Sequence, residues 1–152
     1  MAEKLVHSAV VLLETPDSFI VQKRPNLPGK LAYPDMKQFL GGHVEEDEDA
    51  DEAAARELGE ETNLSVSADA LSKYWSGEYV GKGKRGEPVS RHVSVYYLGL
   101  TALGRDSIRL NAEEGGSLVQ VPKTAEALQA QQDLFTPFAL DMLTKFVKDR
   151  EG

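Results

Sequence analysis

The longest apolar runs in the chain are short, and they alternate with polar turns in a way that spells a mixed helix and strand protein. Leu5–Leu13 is apolar and β-branched enough for a buried strand, Thr15–Ser18 is a turn, and Phe19–Arg24 completes a hairpin. Residues 25–36 carry three prolines and a glycine and read as a loop; Lys37–Leu40 then forms a short strand that Gly41-Gly42 breaks. A helix follows from about Asp49 to Thr62. At about 100° per residue, Ala50, Ala54 and Leu58 share one stripe, with Ala53 and Glu60 at its edge. Glu57 and Glu61 fall in the same sector.

Further on, Ser65–Ser67 reads as a short strand, Leu71–Val80 as a longer one, and Gly81–Pro88 as a basic hairpin loop. Val89–Leu100 is the best strand and is expected at the centre, with Val89, Arg91, Val93, Val95 and Tyr97 on one face and His92 on the other. Beyond a loop at 104–111 lie a short strand from Ser117, a short helix within Lys123–Gln132, and a terminal helix over Phe138–Val147, for which Thr136-Pro137 supplies an N-cap and a first-turn proline. No repeat or linker divides the chain, and 152 residues suit one domain. Periodicity by itself supports α+β or α/β.

Charge changes the picture. The formal net charge is -8, but residues 45–61 hold ten acids against one arginine, so the remainder is close to neutral. A general nucleic-acid binder would show a basic stripe instead. The absence of cysteine excludes disulfides, zinc-thiolate sites and thiol catalysis. No apolar run approaches a membrane span, and the start lacks a signal-like apolar core, so a soluble cytoplasmic protein without membrane partners is expected.

Two carboxylates on a buried-looking helix face are costly unless paired or bound to a cation. Arg56 alone cannot neutralise Glu57, Glu60 and Glu61. An all-oxygen set suits a hard ion such as Mg²⁺ or Mn²⁺, which keeps waters and takes its other ligands from phosphates. A calcium loop is the rival reading, since Asp47-x-Asp49-x-Asp51 copies the start of an EF-hand. It fails where Glu52 replaces the turn glycine and Leu58 the last glutamate. A solvated acidic face explains neither Arg56 nor the inward glutamates.

The pattern of Gly42, five residues, Glu48, seven residues, Arg56-Glu57-Leu58, one residue, Glu60-Glu61, one residue and Asn63-Leu64 resembles the Nudix box. Asn63 stands where the family has glycine, and asparagine suits the left-handed conformation such a helix end requires. The resemblance implies a single Nudix hydrolase domain over residues 1–152, an α/β/α sandwich with a mixed sheet. It implies hydrolysis of a phosphoanhydride in a nucleoside diphosphate linked to another group: a nucleotide sugar, a dinucleoside polyphosphate or a nucleoside triphosphate. Mg²⁺ or Mn²⁺ would be held by Glu57, Glu60, Glu61 and the Gly42 carbonyl. One of these glutamates, or Glu114 in a later loop, would take the proton. Arg56 would orient the carboxylates, and Glu48 would support Arg56 or a further ion.

In relatives the second strand often ends in an arginine near the substrate phosphates, a position Arg24 matches, with a plain strand-end cation as the alternative. Tyr79 lies where a tyrosine marks dinucleoside polyphosphate enzymes; the proline that marks ADP-ribose enzymes is absent there, and Pro88 comes too late. Tyr74, Trp75 and Tyr79 are candidates for stacking on a base, with core packing as the plainer reading. Lys82, Lys84 and Arg85 are available to phosphates or simply form a solvated tip. His92 reads as structural. The implied partner is a nucleotide-derived small molecule, with a homodimer left open. Two other classes compete: a noncatalytic nucleotide-binding module of the same fold and an acidic partner-binding protein.

Overall fold

A computed structural model describes residues 6–25, 33–102, 104, 108 and 117–151. Seven strands form one sheet: β1 (Val6–Glu14), β2 (Phe19–Lys23), β3 (Lys37–Gln38), β4 (Leu40–His43), β5 (Ser72–Lys82), β6 (Pro88–Gly99) and β7 (Ser117–Val121). Its order is β3-β2-β1-β6-β5, with β4 on β1 and β7 on β2. β1 runs parallel to β6 over Val6–Glu14 and Arg91–Gly99, whereas its other pairings are antiparallel, so the sheet is mixed. Among the described residues the α-helices with defined bounds are α1 (Ala50–Thr62), α2 (Ala125–Ala130) and α3 (Pro137–Glu151).

Alternation along β1 assigns its side chains to two layers. Ala9, Val11 and Leu13 bury against Ala53, Ala54 and Leu58 of α1, together with Ile20, Leu40 and Tyr96. Leu12 turns the other way, into a core with Phe19, Val21, Val93, Val95 and the α3 residues Leu143 and Phe146. Helices thus cover both faces, giving the α/β/α sandwich. Within the described residues, no helix is long and apolar enough to cross a membrane.

β1 changes partner halfway. Ser8–Val11 pair with Leu40–His43, and only Leu13 and Glu14 pair with Ile20 and Phe19, so the expected hairpin is two residue pairs long. Its turn is closed by Thr15, whose N–H donates to the Ser18 carbonyl at 2.7 Å and whose hydroxyl accepts the N–H groups of Asp17 and Ser18.

Three expectations need correction. Gly41-Gly42 does not break the strand but lies inside β4, opposite Val10 and Ala9. Gly41 has φ +142°, and a Cβ there would collide with the Ala9 carbonyl, so glycine is required by the approach of two backbones. Ser65–Ser67 is not a strand; Leu64 and Val66 pack on the α1 core without sheet partners. β6 is an inner strand, but β1 occupies the middle of the order.

At the far end of β1 the buried Glu14 gathers three donors from distant segments. Arg150 Nη2 reaches Oε1 at 2.7 Å, Lys123 Nζ reaches Oε2 at 2.9 Å, and the Tyr97 hydroxyl donates to Oε1 at 2.6 Å. Burial raises the Glu14 pKa, and the hydrogen bonds from Arg150, Tyr97 and Lys123 outweigh it, leaving the group at about 2.

Candidate active site

Helix α1 starts at Ala50, with Asp49 as its N-cap residue. The Asp49 N–H donates to Glu52 Oε1 at 3.1 Å, and the Glu52 N–H to Asp51 Oδ1 at 2.9 Å. These contacts account for the cluster of Asp49, Asp51 and Glu52 carboxylates as helix-start chemistry. They also remove the calcium-loop alternative, because residues 50–58 are helical and leave no twelve-residue loop. The helix ends at Asn63 with φ +62°, its N–H on the Gly59 carbonyl at 3.0 Å, so asparagine adopts the left-handed position.

Arg56 is the hub of the acidic segment. Its Nε and Nη2 grip both oxygens of Glu48, at 3.1 and 2.7 Å, in the bidentate arrangement that only a guanidinium makes. Nη1 reaches Glu57 Oε1 at 3.1 Å and the two oxygens of Glu60 at 3.4 Å, and Nη2 also donates to the His43 carbonyl at 3.1 Å. The Glu48 hydrogen bonds, more than any other contact, raise the Arg56 pKa far above its usual value, and those from Arg56 lower that of Glu48. One cation therefore ties the end of β4 to three glutamates.

Glu57 and Glu61, one turn apart, both lie against the double glycine. A Cβ on Gly42 would stand 2.5 Å from Glu57 Oε1, so the missing side chain is the space the carboxylate occupies. Glu61 Oε1 accepts the Gly41 N–H at 2.8 Å, and Oε2 accepts Gln22 Nε2 at 3.1 Å. Glu60 is more exposed, at the edge of the group. Glu114 lies outside the described residues. Carboxylate oxygens are the donors a hard divalent cation takes, and Glu57, Glu60 and Glu61 could supply them; among the described residues, the three carboxylates already within 4.8 Å of one another are those of Asp49, Asp51 and Glu52.

Next to this wall opens a cleft of about 720 Å³, bounded by β4, the β5–β6 hairpin and the start of α3. Arg24, Lys82, Lys84, Arg85 and Arg91 line it, and Gly41 and Gly42 form the seam with the carboxylate wall. Glu87 also lines the cleft, but its Oε1 accepts the Arg85 N–H at 3.1 Å and lies over Gly83, bracing the turn. Lys82, Lys84 and Arg85 are exposed, as a solvated tip requires, and they also border the cleft. The Tyr33 hydroxyl accepts the Lys82 N–H at 2.8 Å and fastens the hairpin to the loop before β3.

The aromatic candidates separate. Tyr79 lines the cleft and packs on Phe138, ring centres 4.8 Å apart, so core packing and cleft exposure coexist in one residue. Burial raises its pKa. Trp75 covers Gly77 and lies 5.8 Å from Phe138, behind the cleft wall. Tyr74 packs on Phe146 and donates its hydroxyl to Asp149 at 2.6 Å, away from the cleft. A bulge between Lys73 and Trp75 lets these adjacent aromatics both pack against the α3 layer. His92 stacks edge-on against His7, 4.8 Å between centres, on the opposite face.

Sequence reasoning assigned no role to Gln22, Tyr33, Arg91 or Phe138. A signal existed for Arg91, a charge on the core-facing register of β6. Tyr33 and Phe138 enter through chain crossings that no local pattern reports.

A sequence model of the NUDIX domain matches residues 4–146. Among solved structures, a bifunctional NMN adenylyltransferase/ADP ribose pyrophosphatase from Francisella tularensis, complexed with AMP and Mn ion, superposes with a TM-score of 0.70 at 19% identity. That alignment covers 97% of this chain and 42% of the other, so the chain spans less than half of that protein. A C. elegans Ap4A hydrolase aligns with a TM-score of 0.67 and 19% identity over 97% of this chain and 99% of its own. The NUDIX domain of Shewanella oneidensis NrtR, complexed with ADP ribose, gives 0.69 and 14% over 99% and 91%. At these identities the likeness is one of fold. No curated protein matches.

Proposed function

The chain belongs to the Nudix hydrolase family, whose domain signature extends over residues 4–146, and on that premise we propose that it hydrolyses a phosphoanhydride bond in a nucleoside diphosphate linked to another group, with Mg²⁺ or Mn²⁺. One observation carries the reading: Gly41 and Gly42, which line the cation-edged cleft, are the residues against which the Glu61 and Glu57 carboxylates lie.

Glu57, Glu60 and Glu61 would hold the cation, with the Gly42 carbonyl as a further ligand. When bound there, such an ion would supply stabilisation of charge on phosphate oxygens and a lowered pKa for water. Arg56 keeps Glu57 and Glu60 in place, and Glu48 fixes the guanidinium that does so. A carboxylate among Glu57, Glu60, Glu61 and Glu114 takes the proton from the attacking water. Arg24, Arg91 and the hairpin cations receive the phosphates, while Tyr79 and Phe138 offer an apolar wall to a base. The ADP ribose, Ap4A and AMP named for the structural neighbours are all nucleotide-derived, in keeping with such a cleft. A cytoplasmic setting, where these substrates and Mg²⁺ abound, belongs to the same reading.

The test is a turnover screen of nucleotide sugars, dinucleoside polyphosphates and nucleoside triphosphates with Mg²⁺ and with Mn²⁺. Metal-dependent release of a nucleoside phosphate is the expected result. Tight binding of one of these ligands without turnover would identify a noncatalytic module instead.

A further inference from the structure

We infer that Gln22 is a positioning residue for the metal platform, holding Glu61 in the orientation that receives the cation. The inference rests on the metal reading proposed above and concerns a side chain outside the acidic segment, on β2.

The Gln22 amide faces two acceptors. Its Nε2 lies 3.2 Å from the Phe39 carbonyl and 3.1 Å from Glu61 Oε2. Both acceptors lack hydrogens, so the NH₂ end must point at them, and its two hydrogens are committed. Phe39 occupies the one-residue gap between β3 and β4, where its carbonyl accepts this side-chain donor. The same amide thus joins a break in the strand edge to a helix carboxylate 39 residues away. The Gly41 N–H takes the other oxygen of Glu61 at 2.8 Å, so the carboxylate is held at both ends.

The two kinds of donor in this site differ in charge. Glu48 is held by the Arg56 guanidinium, which orients it and offsets its charge. Gln22 and the Gly41 amide are neutral, so these two hydrogen bonds orient the Glu61 carboxylate without themselves offsetting its charge. A glutamate has three rotatable bonds, and its preference for one rotamer must come from such partners. Partners that orient a metal ligand typically govern 10–100-fold in metal affinity or activity. Gln22 meets that description from a strand that the acidic segment does not include.

The experiment compares wild type with Gln22→Met, which keeps length and removes the donor, and with Gln22→Asn, which keeps an amide but withdraws it by one methylene. Mn²⁺ binding is read from loss of the free-ion EPR signal, and the metal-free melting temperature is recorded for each protein. Both variants should bind Mn²⁺ about 10–100-fold more weakly. Turnover should fall at limiting Mn²⁺ and recover towards wild type at saturating Mn²⁺. A merely structural role would lower the metal-free melting temperature and leave the Mn²⁺ affinity of the folded protein unchanged. Wild-type Mn²⁺ affinity in either folded variant, within twofold, overturns the role of Gln22 while leaving the metal platform standing. Failure of the wild type to bind Mn²⁺ removes the platform itself.

Discussion

Gly42 and Glu57 share one volume: the position of a Cβ on the strand glycine lies 2.5 Å from a carboxylate oxygen of the helix glutamate. Strand and helix are fitted to each other through a missing side chain, and the fit lies at the seam of the acidic wall and the cleft.

Gly42→Ala therefore pushes aside the far end of a flexible side chain, at a cost to folding of about 1 kcal/mol or less. Turnover should fall about 10–100-fold as Glu57 is displaced. Gly41→Ala meets backbone at φ +142° and should lower stability by several times as much. Thermal melts beside initial rates check the pair. If the two variants lose stability equally, Gly42 is a packing glycine with no separate link to Glu57.

Cations should stabilise the folded chain, because Glu57, Glu60 and Glu61 crowd one helix and Arg56 pairs with Glu57 and Glu60. At 100 times the Kd a ligand adds about 2.7 kcal/mol, which in a domain of this size raises Tm by roughly 5–10 °C. A melting curve indifferent to millimolar Mn²⁺ would refute the site.

Glutamine at position 60 or 61 keeps size and loses the charge that holds a hard cation, so turnover should drop by on the order of 10²–10⁴. Their metal-free stabilities should differ. Glu60→Gln relieves repulsion at an exposed edge and should be neutral or slightly stabilising. At position 61 the new amide confronts two donors, Gln22 and the Gly41 N–H, and can accept properly from only one. A loss of about 1 kcal/mol is expected for Glu61→Gln. Full rates in both variants at limiting Mg²⁺ would end the proposed mechanism.

Acid sensitivity should trace to Glu14. Its folded pKa of about 2 lies below the ordinary 4.5, so the folded state favours the ionised form. That stability is fully present above about pH 5 and is lost as pH falls towards 2. Its size is on the order of 2–3 kcal/mol, since Arg150 is half exposed and partly screened. Glu14→Gln should lose about this much at pH 7 and flatten the stability profile between pH 5 and 2. An unchanged acid limb, followed by urea melts, would place the sensitivity elsewhere.

Local chemistry explains why some of this architecture could be read from residues alone. The run from Val6 to Glu14 is β-branched and apolar, α1 has its caps and its alanines, and Pro137 follows its capping threonine; each encodes an element within a few neighbours. The acidic spacing carried the family resemblance for the same reason. What escaped depends on chain crossings. Gly41-Gly42 has no intrinsic strand preference and becomes strand only because β1 lies alongside. Glu14 and Arg150 meet across 136 residues. The hairpin lysines acquire a cleft to line only when Tyr33, from a proline-rich loop, fastens the strand end. Ser65–Ser67 has strand-like residues but no neighbouring edge to pair with.

Trp75 is the chain's single tryptophan, and its indole lies 5.8 Å from the ring of Phe138, which lines the cleft. The molecule thereby carries its own optical probe. Its tryptophan emission has one source, and that indole packs on a ring that lines the cleft. Ligand entry that moves Phe138 becomes visible as a change in fluorescence without any label, and the same signal separates occupation of the cleft from binding of a cation alone at the carboxylates on the opposite side of the glycine seam.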